Sequence, residues 1–331
     1  MTVETIVYDE EGVVVRDAES SEALRTARDE RGTTWVRAWN ASTDELEAVA
    51  EAFGIHHLEL EDVRTDGRPK VEEFPNHTFV LASAAALRRG ETTFEDELRV
   101  DTVGLFVGDG WMVSLSTTVV DPVQRLWDAI DRGEGRLRSR GADFAGYRIL
   151  DGIVDGYYEV LDEIATDIET VEDAVIESPD EETLEVITGI RRELLSIRRL
   201  LWPTRDATGV LARGDPDQIG EETEKYYRDV YDHLVELVEL TETYRDLAAG
   251  AREVYLNALS ASTNEVMKTL TVVATVVLPL TLVVGVFGMN FAGGPYNMPE
   301  LGWTYGYPAT MLGMLGVAVV MIAYFRRNGW L

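Results

Sequence analysis

The side chains that could act as catalysts or metal ligands form few compact motifs in this sequence. The four histidines, His56, His57, His77 and His233, are too scattered to indicate a zinc or catalytic cluster. The absence of cysteine excludes disulfides, thiolate metal sites and cysteine nucleophiles. No glycine-rich loop ending in Gly-Lys-Ser or Gly-Lys-Thr occurs, so ATP-driven chemistry is not expected. The sequence therefore does not predict an enzyme.

Carboxylates are abundant, and their distribution limits the classes of partner. The chain has 60 Asp and Glu against 30 Lys and Arg, a formal charge of −30. This balance predicts no basic surface that could neutralise phosphates, which argues against nucleic acid. Acidic residues are spread over the chain and only three lysines occur, a composition typical of proteins from a high-salt cytoplasm. We therefore expect most single carboxylates to be solvated surface groups.

Two uncharged runs, residues 269–287 and 308–325, are each about long enough to cross a bilayer. Lys268 precedes the first run and Arg326 follows the second, whereas the loop 288–307 has no Lys or Arg. The positive-inside rule therefore predicts both termini in the cytoplasm and the loop outside. Aromatic residues flank both ends of the spans, as expected at membrane interfaces: Tyr296, Trp303, Tyr305 and Tyr307 on one side, Tyr324 and Trp330 on the other. The sequence predicts a multi-pass protein of the cell membrane.

One face of the first span is more polar than its neighbour. Its members recur about every 3.5 residues, the spacing that keeps a seam facing a shared axis: Asn264, Met267, Thr271, Ala274, Leu278, Thr281 and Gly285. Two helices cannot enclose an aqueous path, so a pore would require several chains. The same small and hydroxylated residues would also let helices pack closely in lipid. Spacing alone leaves pore lining and helix packing open.

The preceding residues must position these spans. Residues 1–145 show mixed α/β patterning, with strands predicted at 34–38, 70–74 and 78–84 and a hairpin joining 98–107 to 111–116 through Asp109-Gly110. A capping box at Ser42 predicts a helix to Phe53, and another helix is expected from Asp121-Pro122. Helical periodicity then predicts long helices from Tyr147, from Glu181 to about Leu211, and from about Glu221 into the first span. The last would span on the order of 100 Å, which is typical of a stalk.

The end of the first span, Gly285 through Phe291, resembles the CorA family of magnesium transporters. A lone Gly-Met-Asn would be weakly specific, but here it ends the first of two C-terminal spans and precedes Met298-Pro299-Glu300-Leu301. Further matches are Thr263–Lys268, Arg228–His233 and the segment from His56 to Asp62. The resemblance covers nearly the whole chain. It implies a funnel-shaped homopentamer with an α/β cytoplasmic domain (1–145), a long-helix stalk (146–268) and a transmembrane domain (269–331).

The resemblance also implies an ion path. Gly288, Met289 and Asn290 would form an outer selectivity ring, with the seven-residue seam lining the pore below it. Mg²⁺ dehydrates reluctantly, so a neutral amide that accepts hydrogen bonds from its waters suits a first contact. The transported ion would be Mg²⁺, with Co²⁺ and Ni²⁺ as further candidates. Zinc-exporting relatives usually vary the methionine of the motif, and the intact Met289 favours Mg²⁺.

The resemblance implies regulation by cytoplasmic Mg²⁺ held between subunits. The matching acids are Glu61, Asp62 and Asp229, with Asp151 as a further candidate. The basic cluster that often ends family members is reduced here to Arg326-Arg327. Two alternatives remain: a carrier of Co²⁺, Ni²⁺ or Zn²⁺ within the family, and a membrane-anchored helical scaffold or sensor without a pore.

Overall fold

The computed structural model describes residues 3–16, 20–87, 98–177, 180–289, 295–296, 298 and 302–330. The chain divides into two compact units, Met1–Arg252 and Glu253–Leu331. The three-part division at residues 145 and 268 stays a prediction.

The first unit contains a seven-stranded sheet in the order β2-β1-β3-β7-β6-β5-β4. The strands are β1 Val3–Asp9, β2 Gly12–Arg16, β3 Thr33–Trp39, β4 Lys70–Glu73, β5 His77–Leu87, β6 Leu98–Gly108 and β7 Trp111–Ser116. Only the pairing of β3 with β7 is parallel among these strands. The predicted hairpin is β6–β7, where Gly110 has φ +75°, a backbone conformation that favours glycine. The sequence did not predict β1 and β2, which complete one edge of the sheet.

The helices are α1 Ser21–Arg28, α2 Thr43–Phe53, α3 His57–Arg64, α4 Asp121–Arg132, α5 Gly135–Arg138, α6 Ala142–Glu177, α7 Glu181–Ala212, α8 Glu221–Phe287 and α9 Gly306–Arg327. The predicted capping box of α2 is present: the Glu45 amide donates to Ser42 Oγ and the Ser42 amide donates to Glu45 Oε2. Helix α6 starts five residues before the predicted Tyr147, because Ala142 and Ala145 are buried and extend its apolar face.

Opposite faces of the sheet pack against different helices, because successive strand residues point to opposite sides. Val7 and Val36 belong to a core cluster that includes Leu24 of α1 and Phe53, the last residue of α2. The neighbouring Trp35 points the other way and meets Trp127 of α4 edge to face at 5.0 Å. On this second side, α6 packs along β5, where the hydroxyl of the fully buried Tyr157 donates to the Ser83 carbonyl. The sheet is therefore covered on both faces.

Helix α8 is continuous over 67 residues. Within the first unit it buries an apolar stripe formed by Tyr227, Val230, Leu234 and Leu237. Among the residues that the structure describes, two helices are long and apolar enough to cross a membrane: α8, through its last turns, and α9. Their positions match the two predicted spans.

Candidate functional site

The C-terminal end of α8 turns tightly at Gly288. The Gly288 amide donates to the Val284 carbonyl at 2.9 Å, and the Met289 amide donates to Val286 at 3.2 Å. A Cβ at Gly288 would lie 3.1 Å from the Val284 carbonyl oxygen, closer than ordinary contact, so glycine suits this position. The Met289 side chain is exposed. Asn290 lies outside the described residues, and its side-chain position stays a prediction.

The face of α8 that meets α9 is defined by several contacts within the second unit. Lys268 Nζ donates to the Gly329 carbonyl, just beyond α9, at 2.5 Å. Val284 and Phe287 share a cavity of about 400 Å³ with residues at the start of α9. Between these ends, Val272 is the one buried residue of the span, and Val276, Leu280 and Val283 are partly buried. At about 100° per residue these positions share one side of the helix.

The predicted seam lies on the other side of α8. Thr271, Ala274, Leu278, Thr281 and Gly285 are on average roughly 180° around the helix from the α9-facing residues. All seven seam residues are exposed in the single chain except the small Ala274, which is half-buried. The structure thus excludes packing of the seam against α9 within the described residues. Its remaining neighbours are lipid, water or other chains.

The hydroxyl groups on this helix have defined hydrogen bonds. Thr271 Oγ1 donates to the Met267 carbonyl at 2.7 Å, and Thr281 Oγ1 donates to the Val277 carbonyl at 2.9 Å. Each hydroxyl oxygen keeps lone pairs that can accept a hydrogen bond from water. Pro279 has no amide hydrogen, which removes the usual helical donor to the Thr275 carbonyl. The helix therefore offers neutral oxygen acceptors at several levels.

Two of the candidate regulatory acids lie on α3. Glu61 and Asp62 line a cleft of about 510 Å³ together with Lys70, Glu72 and other residues of α3 and β4. Asp62 Oδ2 lies 2.7 Å from Lys70 Nζ, which also contacts Glu72 at 2.8 Å. In the single chain the Asp62 carboxylate is therefore partly neutralised by its own lysine.

The other two acids lie where α6 faces α8. The pKa of Asp151 lies above its usual value, mainly because the carboxyl is half-buried. The Arg148 guanidinium 2.8 Å away lowers it, whereas the negative charges of Asp155 and Asp229 raise it. Asp151 and Asp229 are thus close enough to repel each other. Over the described residues, no three His, Cys, Asp or Glu side chains form a group that could hold a metal ion. A metal bound at these acids would need water or a second chain to complete its coordination.

A buried pair that the sequence did not reveal holds α3 against the sheet. Glu59 Oε1 lies 2.8 Å from His77 Nε2, and both side chains are only 2% exposed. The other Glu59 oxygen accepts the His56 amide at 2.7 Å and caps the start of α3. His56-x-x-Glu59 resembles a capping box with histidine at the first position. That spacing was the available signal for α3, but nothing local points to His77.

Comparison with known proteins agrees with these features. The CorA-like Mg²⁺ transporter protein family matches residues 30–327. The cobalt/magnesium transport protein CorA of Thermotoga maritima is 36% identical over 312 residues, covering 94% of this chain and 87% of that protein. The magnesium transport protein CorA of Haemophilus influenzae is 26% identical, with 96% of each chain covered.

Solved structures show the same fold. The complete structure of the CorA magnesium transporter from Methanocaldococcus jannaschii superposes with a TM-score of 0.82 at 22% identity, covering 100% of this chain and 99% of the other. The full-length CmaX protein gives a TM-score of 0.75 at 20% identity, covering 100% and 98%. The predicted fold class, an α/β domain followed by long helices and two C-terminal spans, is confirmed. The chain belongs to the CorA-like Mg²⁺ transporter family.

Proposed function

We propose that several copies of this chain assemble in the cell membrane into a pore that carries Mg²⁺ passively into the cytoplasm. The observation that carries this proposal is the polar seam of α8, which faces away from α9 and is exposed in the single chain. A seam with 3.5-residue spacing is suited to face a common axis when copies surround it. The names of the relatives, cobalt/magnesium transport protein in Thermotoga maritima and magnesium transport protein in Haemophilus influenzae, support the ion class.

Selection begins at the turn Gly288-Met289-Asn290. The Asn290 amide would accept hydrogen bonds from the waters that Mg²⁺ retains. A ring of neutral amides binds more weakly than a ring of carboxylates, which lets the ion leave again, as conduction requires. Gly288 allows the helix to end in the short turn that brings these residues to the mouth.

Below the mouth, the seam alternates polar and apolar levels. Thr281, Thr271 and Asn264 offer oxygen acceptors to a hydrated ion, with Gly285 and Ala274 leaving room beside them. Leu278 and Met267 form apolar levels that can close by excluding water. A divalent ion crossing 100 mV releases about 4.6 kcal/mol, so inward movement needs no ATP.

Cytoplasmic Mg²⁺ would close the pore by binding between subunits. Glu61 and Asp62 of one copy would face Asp229 and Asp151 of the next. The observation that no three-ligand group forms within the described part of one chain supports a site shared between chains. Loss of Mg²⁺ would leave these carboxylates repelling each other and loosen the contact.

A second cargo, Co²⁺, is supported by the Thermotoga maritima name. Ni²⁺ is a further candidate because its octahedral hydration resembles that of Mg²⁺. In this proposal both chain termini lie in the cytoplasm, with Lys268, Arg326 and Arg327 at the inner membrane face.

The test is Mg²⁺ uptake into liposomes that contain the purified protein, with low Mg²⁺ inside. Wild type should transport, Asn290→Ala should lose most uptake, and Asn328→Ala should transport as wild type because Asn328 follows α9 at the opposite end of the spans. Equal flux through wild type and Asn290→Ala would overturn the role of the loop. No flux through any of them would favour a helical scaffold without a pore.

A further inference from the structure

Three arginines gather on one surface of the first unit, although the composition predicts no basic surface. A groove of about 590 Å³ is lined by Arg68, Leu195, Arg198, Arg199, Trp202 and Pro203. We call this surface the arginine groove. Arg68 comes from the loop after α3, and the other residues come from α7. The whole chain carries a formal charge of −30, whereas this groove is positively charged.

The charges in the arginine groove are mostly unmatched within the chain. Arg198 lies 3.7 Å from Glu242 and stacks over the Trp202 ring at 4.8 Å. Arg68 and Arg199 are exposed and make no ion pair in the part of the chain that the structure describes. None of the six residues that line the groove is acidic. The groove thus offers two free guanidinium groups beside an aromatic ring.

A complementary surface lies on α8. Asp229, Asp232, Glu236 and Glu239 are all exposed and fall within an arc of about 80° on the helix. We call them the acidic ridge. The buried stripe of the same segment, Val230, Leu234, Leu237 and Thr241, is centred roughly 150° away. The acidic ridge therefore points away from the buried stripe. Asp229 and Glu236 lie at its α6 edge, where the Tyr158 hydroxyl donates to Glu236 Oε2 at 3.0 Å, and Asp232 and Glu239 are its outer members.

We propose that the arginine groove of one copy binds the acidic ridge of α8 in the next copy. The inference rests on the assembly of several chains under the proposed function and specifies which surfaces meet. Copies that each carry −30 repel one another, so close approach is least costly where positive charge is concentrated. Two different surfaces that meet head to tail can repeat around a closed ring.

The acidic ridge fits better than a free anion as the occupant. The overall charge of the protein repels small anions from solution, whereas a ridge presented by an assembled neighbour is already held nearby. Guanidinium groups bind carboxylates in paired hydrogen bonds, and the exposed Asp232 and Glu239, two turns apart on one side of α8, offer such partners for the two unpaired arginines. The contact would also place Asp229 of the ridge on the side of the neighbouring subunit that carries Glu61 and Asp62, because Arg68 lies in the short loop between α3 and β4.

The absence of native cysteine allows a direct test. Full-length Arg199→Cys and Asp232→Cys are made as separate single-cysteine proteins with different affinity tags, co-expressed, and treated with a short bis-maleimide. A cross-link that carries both tags must join two chains. We expect this doubly tagged dimer from Arg199→Cys with Asp232→Cys and its loss when Glu22→Cys, on the exposed face of α1, replaces Arg199→Cys.

Charge reversal provides the second measurement, since cysteine variants remove the charges in question. Arg199→Glu should lower the recovery of assembled protein in low salt, and adding Asp232→Arg should restore it. Absence of the doubly tagged dimer, or no rescue by the second reversal, would overturn the contact. The proposed function has a separate readout: if wild type assembles and transports Mg²⁺ while the cross-link fails, only the contact is wrong, and if wild type does neither, the proposed function fails as well.

Discussion

Asp62 Oδ2 lies 2.7 Å from Nζ of Lys70, one of only three lysines in the chain. The ammonium group also contacts Glu72 at 2.8 Å and so joins α3 to β4. A cation that binds Asp62 must compete with this built-in positive charge. The lysine would therefore set the Mg²⁺ concentration at which a regulatory site fills.

The first prediction follows from that competition. Lys70→Gln should lower the Mg²⁺ concentration that protects the protein from protease by several-fold, because Asp62 and Glu72 lose their internal counter-charge. The measurement is the midpoint of protection in a Mg²⁺ titration of full-length protein. Lys225→Gln is the matched control, since Lys225 is exposed on α8 beside Tyr226. Equal midpoints for wild type and both variants would contradict a metal role for Asp62.

A second prediction compares two threonines with the same local hydrogen bond. Thr281 Oγ1 donates to the Val277 carbonyl and Thr310 Oγ1 donates to the Gly306 carbonyl, both at 2.9 Å. Valine keeps the branched shape but removes the acceptor oxygen. We expect Thr281→Val to reduce Mg²⁺ uptake into liposomes severalfold and Thr310→Val to leave it near wild type. The same loss in both variants would indicate a packing effect and remove the support for a pore-facing Thr281.

The third prediction concerns the buried Glu59–His77 pair. Glu59→Ala removes the acceptor for both His77 and the His56 amide, which leaves the His77 ring buried without its partner and the start of α3 without its cap. The cost should be about 3 kcal/mol, or a fall of roughly 6 °C or more in the unfolding temperature. Tryptophan fluorescence during heating measures this, with the exposed Glu47→Ala as control. A change below about 1 °C in Glu59→Ala would show that the pair contributes little.

A pH dependence is expected from Tyr157. Complete burial raises the pKa of its hydroxyl from 10.0 to about 12. Because the folded protein holds this proton more tightly, the stabilisation is full below pH 10 and is lost as pH rises toward 12. The Tyr157→Phe variant has no hydroxyl to titrate, so it should not lose stability in this way as the pH rises. Its unfolding temperature should lie below that of wild type at pH 8, because the hydrogen bond to the Ser83 carbonyl is gone, and the difference should shrink between pH 10 and 11. Parallel curves over this range would contradict the prediction.

Local patterns in the sequence determined several elements correctly. The α2 capping box at Ser42 and Glu45, the β6–β7 turn at Asp109-Gly110 and the two spans depend on residues within a few positions of each other. Such features follow from turn chemistry, helix capping and the length of an apolar run. The strands β1 and β2 were missed because β1 contains Glu4 and Asp9 and β2 is only five residues long, and both are held in the sheet by pairing with their neighbours.

The sequence by itself determined that the chain has two apolar spans. It also determined that the first span carries a seam of residues spaced about 3.5 positions apart and is followed by the motif Gly288-Met289-Asn290. Only the tertiary structure decided that the seam faces away from α9, because the direction of a helix face depends on what packs against the opposite side. It also decided that Glu59 meets His77 across 18 residues of sequence and that Arg68 joins Arg198 and Arg199 in one groove. These relationships depend on how the sheet and helices fold back on each other, and no local spacing encodes them.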